Sequence, residues 1–107
     1  MRLIVMGQQA FGKSALEAIL ERGDDEVVAV YCAPDKGDRV DPIKEFALEN
    51  ELIVVQPDNF KERDVLGSMK ELKPDLCVMA YVTIFVPKEA RNIPTHGSIC
   101  YHPSLLP

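Results

Sequence analysis

RLIVMGQQAFGKSALEAILERG, residues Arg2 to Gly23, decides the fold. Arg2 to Met6 is a short β-rich apolar run, and Gly7 closes it. Such a continuous run, bounded by a turn residue, suits a strand buried on both faces. From Phe11 to Arg22 the spacing changes. Apolar residues recur at Phe11, Ala15, Leu16, Ala18, Ile19 and Leu20, which is helical, and Gly23 stands where a C-cap belongs. A strand that turns directly into a helix is the opening unit of an α/β domain.

The same alternation continues outward. Glu26 to Cys32 (EVVAVYC) reads as a second strand, ended by Ala33-Pro34-Asp35. Pro34 to Asp41 is charged and carries Pro and Gly, so it is expected as an exposed loop. Pro42 suits the first turn of a helix with Asp41 as its cap, and that helix runs to Asn50. Leu52 to Val55 is a short strand. Lys61 to Leu72 is a third helix, stopped by Pro74. Leu76 to Tyr81 (LCVMAY) is a continuous apolar strand, Pro87 to Asn92 a single helical turn, and Ser98 to His102 a last short strand. The order β-α-β-α-β-α-β-(α)-β predicts a Rossmann-like α/β domain: a parallel sheet of about five strands with helices on both faces.

Composition agrees. With 107 residues, 47% of them hydrophobic and 27% charged, the chain is one globular domain with a real core. Its net charge of −5 argues against broad nucleic-acid binding by this segment alone, because phosphate contacts want clustered Lys and Arg. Cys32, Cys77 and Cys100 are odd in number and far apart, the usage of a reducing compartment. Gly7 interrupts the first apolar run too early for a signal peptide, and no run is long enough to span a membrane. A cytoplasmic location is the expectation.

Gly7-Gln8-Gln9-Ala10-Phe11-Gly12-Lys13-Ser14 fits the phosphate-loop pattern G-x-x-x-x-G-K-[ST] and lies between a strand and a helix, as that motif requires. On that reading backbone amides cradle phosphates, Lys13 reaches the outer ones and Ser14 binds Mg²⁺. Against it, Leu76 to Tyr81 ends in Tyr81-Val82-Thr83, with no Asp to hold the metal, and Gln8 to Phe11 are bulky. The preferred reading is structural: Gly7 makes the turn, Gly12 lets the helix pack closely on the sheet, and Lys13 is solvated. No G-x-G-x-x-G is present for a dinucleotide.

The segment Gly97-Ser98-Ile99-Cys100-Tyr101-His102-Pro103-Ser104-Leu105-Leu106-Pro107 resembles the signature of the folate-dependent formyltransferase superfamily, whose core is His-x-Ser-Leu-Leu-Pro. Gly7-Gln8 through Phe11-Gly12 is similar to the first turn of the N-terminal hydrolase domain of 10-formyltetrahydrofolate dehydrogenase. Ala80-Tyr81 through Phe85-Val86-Pro87 resembles the family's folate-pocket loop. Pro34-Asp35-Lys36 and Asp41-Pro42 also have counterparts, so the resemblance runs the length of the chain.

The resemblance implies an enzyme that acts on 10-formyltetrahydrofolate as formyl donor, without a metal. In the family an Asn, a His and an Asp act on the formyl group. The His matches His102, Cys100 stands at the Asn position, and the Asp lies downstream of Pro107. The chain is therefore expected to be the N-terminal, folate-binding part of the catalytic domain, incomplete at its C-terminal end and with little turnover alone. An Asn amide donates to the formyl oxygen as its carbon becomes tetrahedral, and a thiol donates weakly. Cys100 therefore favours the hydrolase branch, with water as acceptor, over transfer to an amine or to an aminoacyl-tRNA by a methionyl-tRNA formyltransferase. By resemblance the catalytic candidates are His102 and Cys100. Met79, Tyr81, Ile84 and Phe85 would line the pterin slot, and Gly7, Gln8, Phe11 and Ser104 would contact substrate.

The residues support part of this on their own. Alternation puts Ser98, Cys100 and His102 on one face of the last strand. His102 falls at the carboxyl end of a parallel strand, where open α/β sheets bind ligands, and a His there can serve as acid or base near neutrality. The alternative is a hydrogen-bonded His at a strand end. Cys100 reads as a nucleophile, a metal ligand, or a buried or site-lining thiol. The last is preferred, because one Cys-x-His is far short of a zinc set. His96 reads as an exposed loop residue.

Overall fold

The computed structural model describes residues 1–80 and 86–100. Along them run β1 (Arg2–Gly7), α1 (Gln9–Arg22), β2 (Glu26–Tyr31), α2 (Pro42–Glu49), β3 (Val54–Val55), α3 (Arg63–Glu71), β4 (Leu76–Ala80), α4 (Lys88–Arg91) and β5 (Ser98–Cys100). The strands form one sheet in the order β3-β2-β1-β4-β5, and every pairing is parallel. This is the doubly wound arrangement that alternating strands and helices predict.

The central strands are buried on both faces, which is why they read as continuous apolar runs. Val5, Val30 and Cys32 pack with Leu16 of α1 and with Ile43 and Ala47 of α2. Ile4, Met6, Tyr31 and Cys77 pack on the opposite face with Val65 and Met69 of α3 and Ala90 of α4. The Tyr31 ring stacks on Phe60 at 6.0 Å between centroids, and its hydroxyl hydrogen-bonds Ser68 Oγ at 2.9 Å.

One irregularity sets this division. Leu3 pairs with Val27, but Ile4 pairs with Ala29, so Val28 is an extra residue in β2. Before this bulge the odd-numbered Val27 faces α1 and α2; after it the even-numbered Val30 and Cys32 do.

Helix ends follow local chemistry. Gly23 closes α1 at φ 68°, and Asp41 caps α2 with Pro42 as its first residue. The start of α1 is Gln9, two residues earlier than apolar spacing suggests. The end of α3 is held from a distance. The Arg2 guanidinium donates to Leu72 O from Nη2 at 2.6 Å and from Nε at 3.0 Å, and the Arg2 amide donates to Asp75 Oδ2 at 2.7 Å. Carbonyls left over at the helix end are thus satisfied by the first residue of β1. Strand β3 has two residues, although Val30 N donating to Ile53 O extends its contact with β2.

Candidate functional site

The chain leaves β1 for β2 and β3, then crosses back to place β4 on the other side of β1. Strand order reverses there, and the carboxyl ends of β1 and β4 flank the crevice where such sheets bind ligands. Gly7 and Ala80 are register partners at that edge. They are so close that a Cβ on Gly7 would stand 2.6 Å from Ala80 O. Gly12 packs on the same spot from α1: its Cβ would lie 3.1 Å from the Gly7 carbonyl carbon and 3.2 Å from Ile43 Cδ1. Both glycines therefore do the turning and packing work expected of them.

One residue back from that edge, Tyr31, Met6, Met79 and Cys100 form a rung across four neighbouring strands. Met79 is half-buried and packs on the α3/α4 side of the core. Cys100 ends the rung on β5. The expectation of a thiol buried there is corrected in part: Cys100 is exposed, because β5 is the edge strand among the described residues. Ser98 shares its face, and its hydroxyl donates to Arg91 O at 2.8 Å. The other two thiols are buried as expected. Burial pushes the Cys32 thiol up to about 11 and the Cys77 thiol up to about 12, so neither is a thiolate at neutral pH.

The turn from β1 into α1 holds Gln8, which is buried, and Gln9, whose φ is 60°. Gln8 makes no side-chain cap for α1. A residue on another loop serves that end instead. Asp41 Oδ1 accepts from Gln9 N at 2.6 Å and from Ile43 N at 3.0 Å. The amide at the head of α1 is therefore already taken by a carboxylate, where a phosphate loop needs free donors. Lys13 pairs with Glu17 at 4.0 Å and lies 5.8 Å over the Phe46 ring, so its charge serves the α1–α2 contact. The geometry favours the structural reading of Gly7 to Ser14.

Beside this turn lies a cavity of about 410 Å³, lined by Gln8, Gln9 and the loop Ala33 to Pro42. Its volume suits a small molecule or one end of a larger one. Four of its residues are charged. The two carboxylates are committed internally: Asp41 to two amides, and Asp35 to Lys44 Nζ at 2.7 Å and Gln56 Nε2 at 2.8 Å. Those bonds hold the Asp35 carboxyl below its ordinary value. The two cations, Lys36 and Arg39, have no ion-pair partner among the described residues. A tight turn sets them opposite each other, with Gly37 at φ 62° and Arg39 N donating to Lys36 O at 3.3 Å. The cavity thus balances two engaged carboxylates against two cations that carry no ion pair among the described residues.

Among the expected site residues, Gly7 and Gln8 come together at the carboxyl edge, with Phe11 half-buried in the first turns of α1. Tyr81, Ile84, Phe85, His102 and Ser104 lie outside the described residues. His96 is exposed, with its amide donating to Asp75 O. The sequence marks Pro34 to Asp41 as a charged loop with family counterparts at Pro34-Asp35-Lys36 and Asp41-Pro42, without singling out Lys36 and Arg39 as site residues. The signal for its cations was Lys36-Gly37-Asp38-Arg39, two bases flanking a turn glycine. Among the described residues no group of three or more His, Cys, Asp or Glu side chains could hold a metal, and no helix is long and apolar enough to cross a membrane.

Comparison with known proteins accords with this fold. The chain is 37% identical to a methionyl-tRNA formyltransferase of Fusobacterium nucleatum over 113 residues, which is 100% of the chain and 36% of that protein. It is 39% identical to a methionyl-tRNA formyltransferase of Acetivibrio thermocellus, again over 100% of the chain and 36% of the relative. It therefore spans about a third of the length of these relatives. Among solved structures, phosphoribosylglycinamide formyltransferase from Bacillus halodurans matches 100% of the chain and 58% of its own at a TM-score of 0.73. At 19% identity that likeness speaks for the fold alone. The family described as formyl transferase matches residues 1–107, from end to end, and the chain belongs to it.

Proposed function

We propose that the chain binds 10-formyltetrahydrofolate and takes part in moving its formyl group to the amine of an aminoacyl-tRNA. The observation that carries this is the set of relatives named methionyl-tRNA formyltransferase, 37% and 39% identical along the whole chain. On this reading residues 1–107 are the N-terminal, folate-binding part of the catalytic domain. The pterin lies among Met79, Tyr81, Ile84 and Phe85. The acceptor approaches along Gly7, Gln8 and Phe11, and Ser104 contacts substrate. The acceptor amine attacks the formyl carbon, a C–N bond forms, and the carbonyl oxygen takes the negative charge. The bond from that carbon to the folate N10 then breaks, and N10 regains a proton. His102 supplies acid or base assistance near neutral pH, and Cys100 borders the formyl group without attacking it.

The cavity has two side chains compatible with a nucleic-acid acceptor. Its free cations, Lys36 and Arg39, suit phosphate oxygens. It lies beside β1 and β2, two to three strand spacings from Cys100 on β5, or roughly 10–14 Å. An acceptor whose phosphates are set back from its reacting amine suits that separation. The overall charge of −5 leaves this local patch as the candidate contact.

A second reading has water as acceptor. Cys100 favours it, because the transferase pattern has an Asn amide there and a thiol is a weak donor. The protein as its gene encodes it is given 10-formyltetrahydrofolate with and without methionyl-tRNA. Formyl-methionyl-tRNA as product, lost in His102→Ala, is the expected result. Formate release indifferent to tRNA would replace transfer by hydrolysis, and near-normal turnover of His102→Ala would sink the catalytic assignment.

A further inference from the structure

We infer that Asp41 is a positioning residue of the site, holding the β1–α1 turn and the β2–α2 loop in register so that the cavity between them keeps its shape. This rests on the proposal that the turn meets the acceptor. A single oxygen, Asp41 Oδ1, accepts from the first amide of α1, Gln9 N at 2.6 Å, and from the second residue of α2, Ile43 N at 3.0 Å. One carboxylate thus serves its own helix and the N-terminus of α1, 32 residues away in sequence at Gln9, where the helix dipoles also favour negative charge.

The bond to Gln9 has a specific task. Gln9 has a φ of 60°, a left-handed conformation that residues with a Cβ enter only where the surroundings hold them. Asp41 supplies a hold on Gln9 from outside the turn, through its 2.6 Å bond to the Gln9 amide. The loop carrying Lys36 and Arg39 is in turn pinned at two points, at Asp35 by Lys44 and Gln56 and at Asp41 by the two amides. Releasing Asp41 from Gln9 frees one wall of the cavity and one end of the other.

The test separates this role from ordinary helix capping. Asp41→Ser retains an N-cap for α2, since Ser caps about as well as Asp, but its side chain is too short to reach Gln9 as well. Asp41→Asn keeps an acceptor oxygen at the original reach. Both variants are made in the protein as its gene encodes it. Asp41→Ser is expected to move the Gln9 amide resonance upfield and shift the Lys36 and Arg39 amides. It should raise KM for methionyl-tRNA on the order of tenfold, the scale of one lost charge-assisted bond, with kcat held within about twofold. Asp41→Asn should restore most of both. An unmoved Gln9 amide, an unchanged KM, or a fall in kcat at constant KM in Asp41→Ser would overturn the inference. A wild-type protein that neither binds nor formylates tRNA would sink the proposed function instead. The Gln9, Lys36 and Arg39 amides would then decide the clasp by themselves.

Discussion

Replacing Gly12 by alanine tests the packing at the head of α1, and the sign of the effect carries the information. In a helix interior, Gly→Ala ordinarily stabilises by about 0.5–1 kcal/mol, because glycine loses more backbone freedom on folding. At Gly12 the new methyl would meet the Gly7 carbonyl carbon at 3.1 Å, Ile43 Cδ1 at 3.2 Å and Gly7 Cα at 3.3 Å. Ile43 is fully buried, and Gly7 is itself pressed against Ala80 O, so neither has room to yield. The helix must ride away from β1, an overpacking cost of about 1–3 kcal/mol. Set against the helix gain, the net is a loss of about 1 kcal/mol. Gly67, in the middle of α3, is the control: nothing lies within 4 Å of its Cβ position, and alanine there should gain about 0.5–1 kcal/mol. For a domain of this size the two variants should move the thermal midpoint in opposite directions, each by roughly 3–5 °C. Urea unfolding followed by circular dichroism reads both. If Gly12→Ala stabilises as Gly67→Ala does, the packing argument is wrong. Saturable Mg²⁺–ATP binding by the wild type, lost in such a stabilised Gly12→Ala variant, would bring back the phosphate-loop reading of Gly7 to Ser14.

The thiols should separate cleanly: a disulfide reagent at neutral pH labels Cys100 in the native protein and reaches Cys32 and Cys77 only in denaturant, whereas native labelling at either would contradict their burial. The same two thiols make the fold sensitive to alkali. Their folded pKa values, about 11 and about 12, lie above the unfolded value of 9.0, so the folded state binds more protons between those limits. Stability is expected to be intact below pH 9 and to fall as pH rises from there towards 11–12, by up to about 1.4 kcal/mol per pH unit for each thiol. Cys32→Ala with Cys77→Ala should flatten that slope, and an unchanged slope would place its origin elsewhere. Tyr31→Phe should cost about 1 kcal/mol in urea unfolding, since it removes the 2.9 Å bond to Ser68 Oγ and keeps the ring on Phe60. A loss above about 3 kcal/mol would mean that the ring itself had moved.

What could be read from the sequence divides along the range of the interactions. Gly23, Asp41-Pro42 and Pro74 punctuate helices locally: Gly23 and Asp41 are the caps they were expected to be, and Pro74 lies two residues beyond Leu72, the C-cap of α3. Continuous apolar strands separated by helices are enough to specify a parallel sheet, because only burial on both faces explains Arg2 to Met6, Glu26 to Cys32 and Leu76 to Tyr81 together. The start of α1 was missed because Gln8 and Gln9 carry no apolar signal. The helix begins there through Asp41, a partner supplied by another loop.

The same division explains what stayed hidden at the site. Asp41 advertises its bond to Ile43, two residues away, and gives no sign of its bond to Gln9, 32 residues away. The Val28 bulge leaves no mark in EVVAVYC, since every residue around it is apolar, yet it decides that Val30 and Cys32 face α2. Cys100 illustrates the reverse. Alternation assigned it correctly to the face of Ser98, but burial depends on which strand lies at the sheet edge, and strand order is a property of the crossovers. Lys36 and Arg39 needed both kinds of information. Gly37 announces their turn locally, while their availability follows only from the distant partners of Asp35 and Asp41. The charge of this cavity is therefore set by residues that do not look like a site at all. Lys44 and Gln56 engage Asp35, and any change that frees its carboxylate should weaken an anion there without touching Lys36 or Arg39.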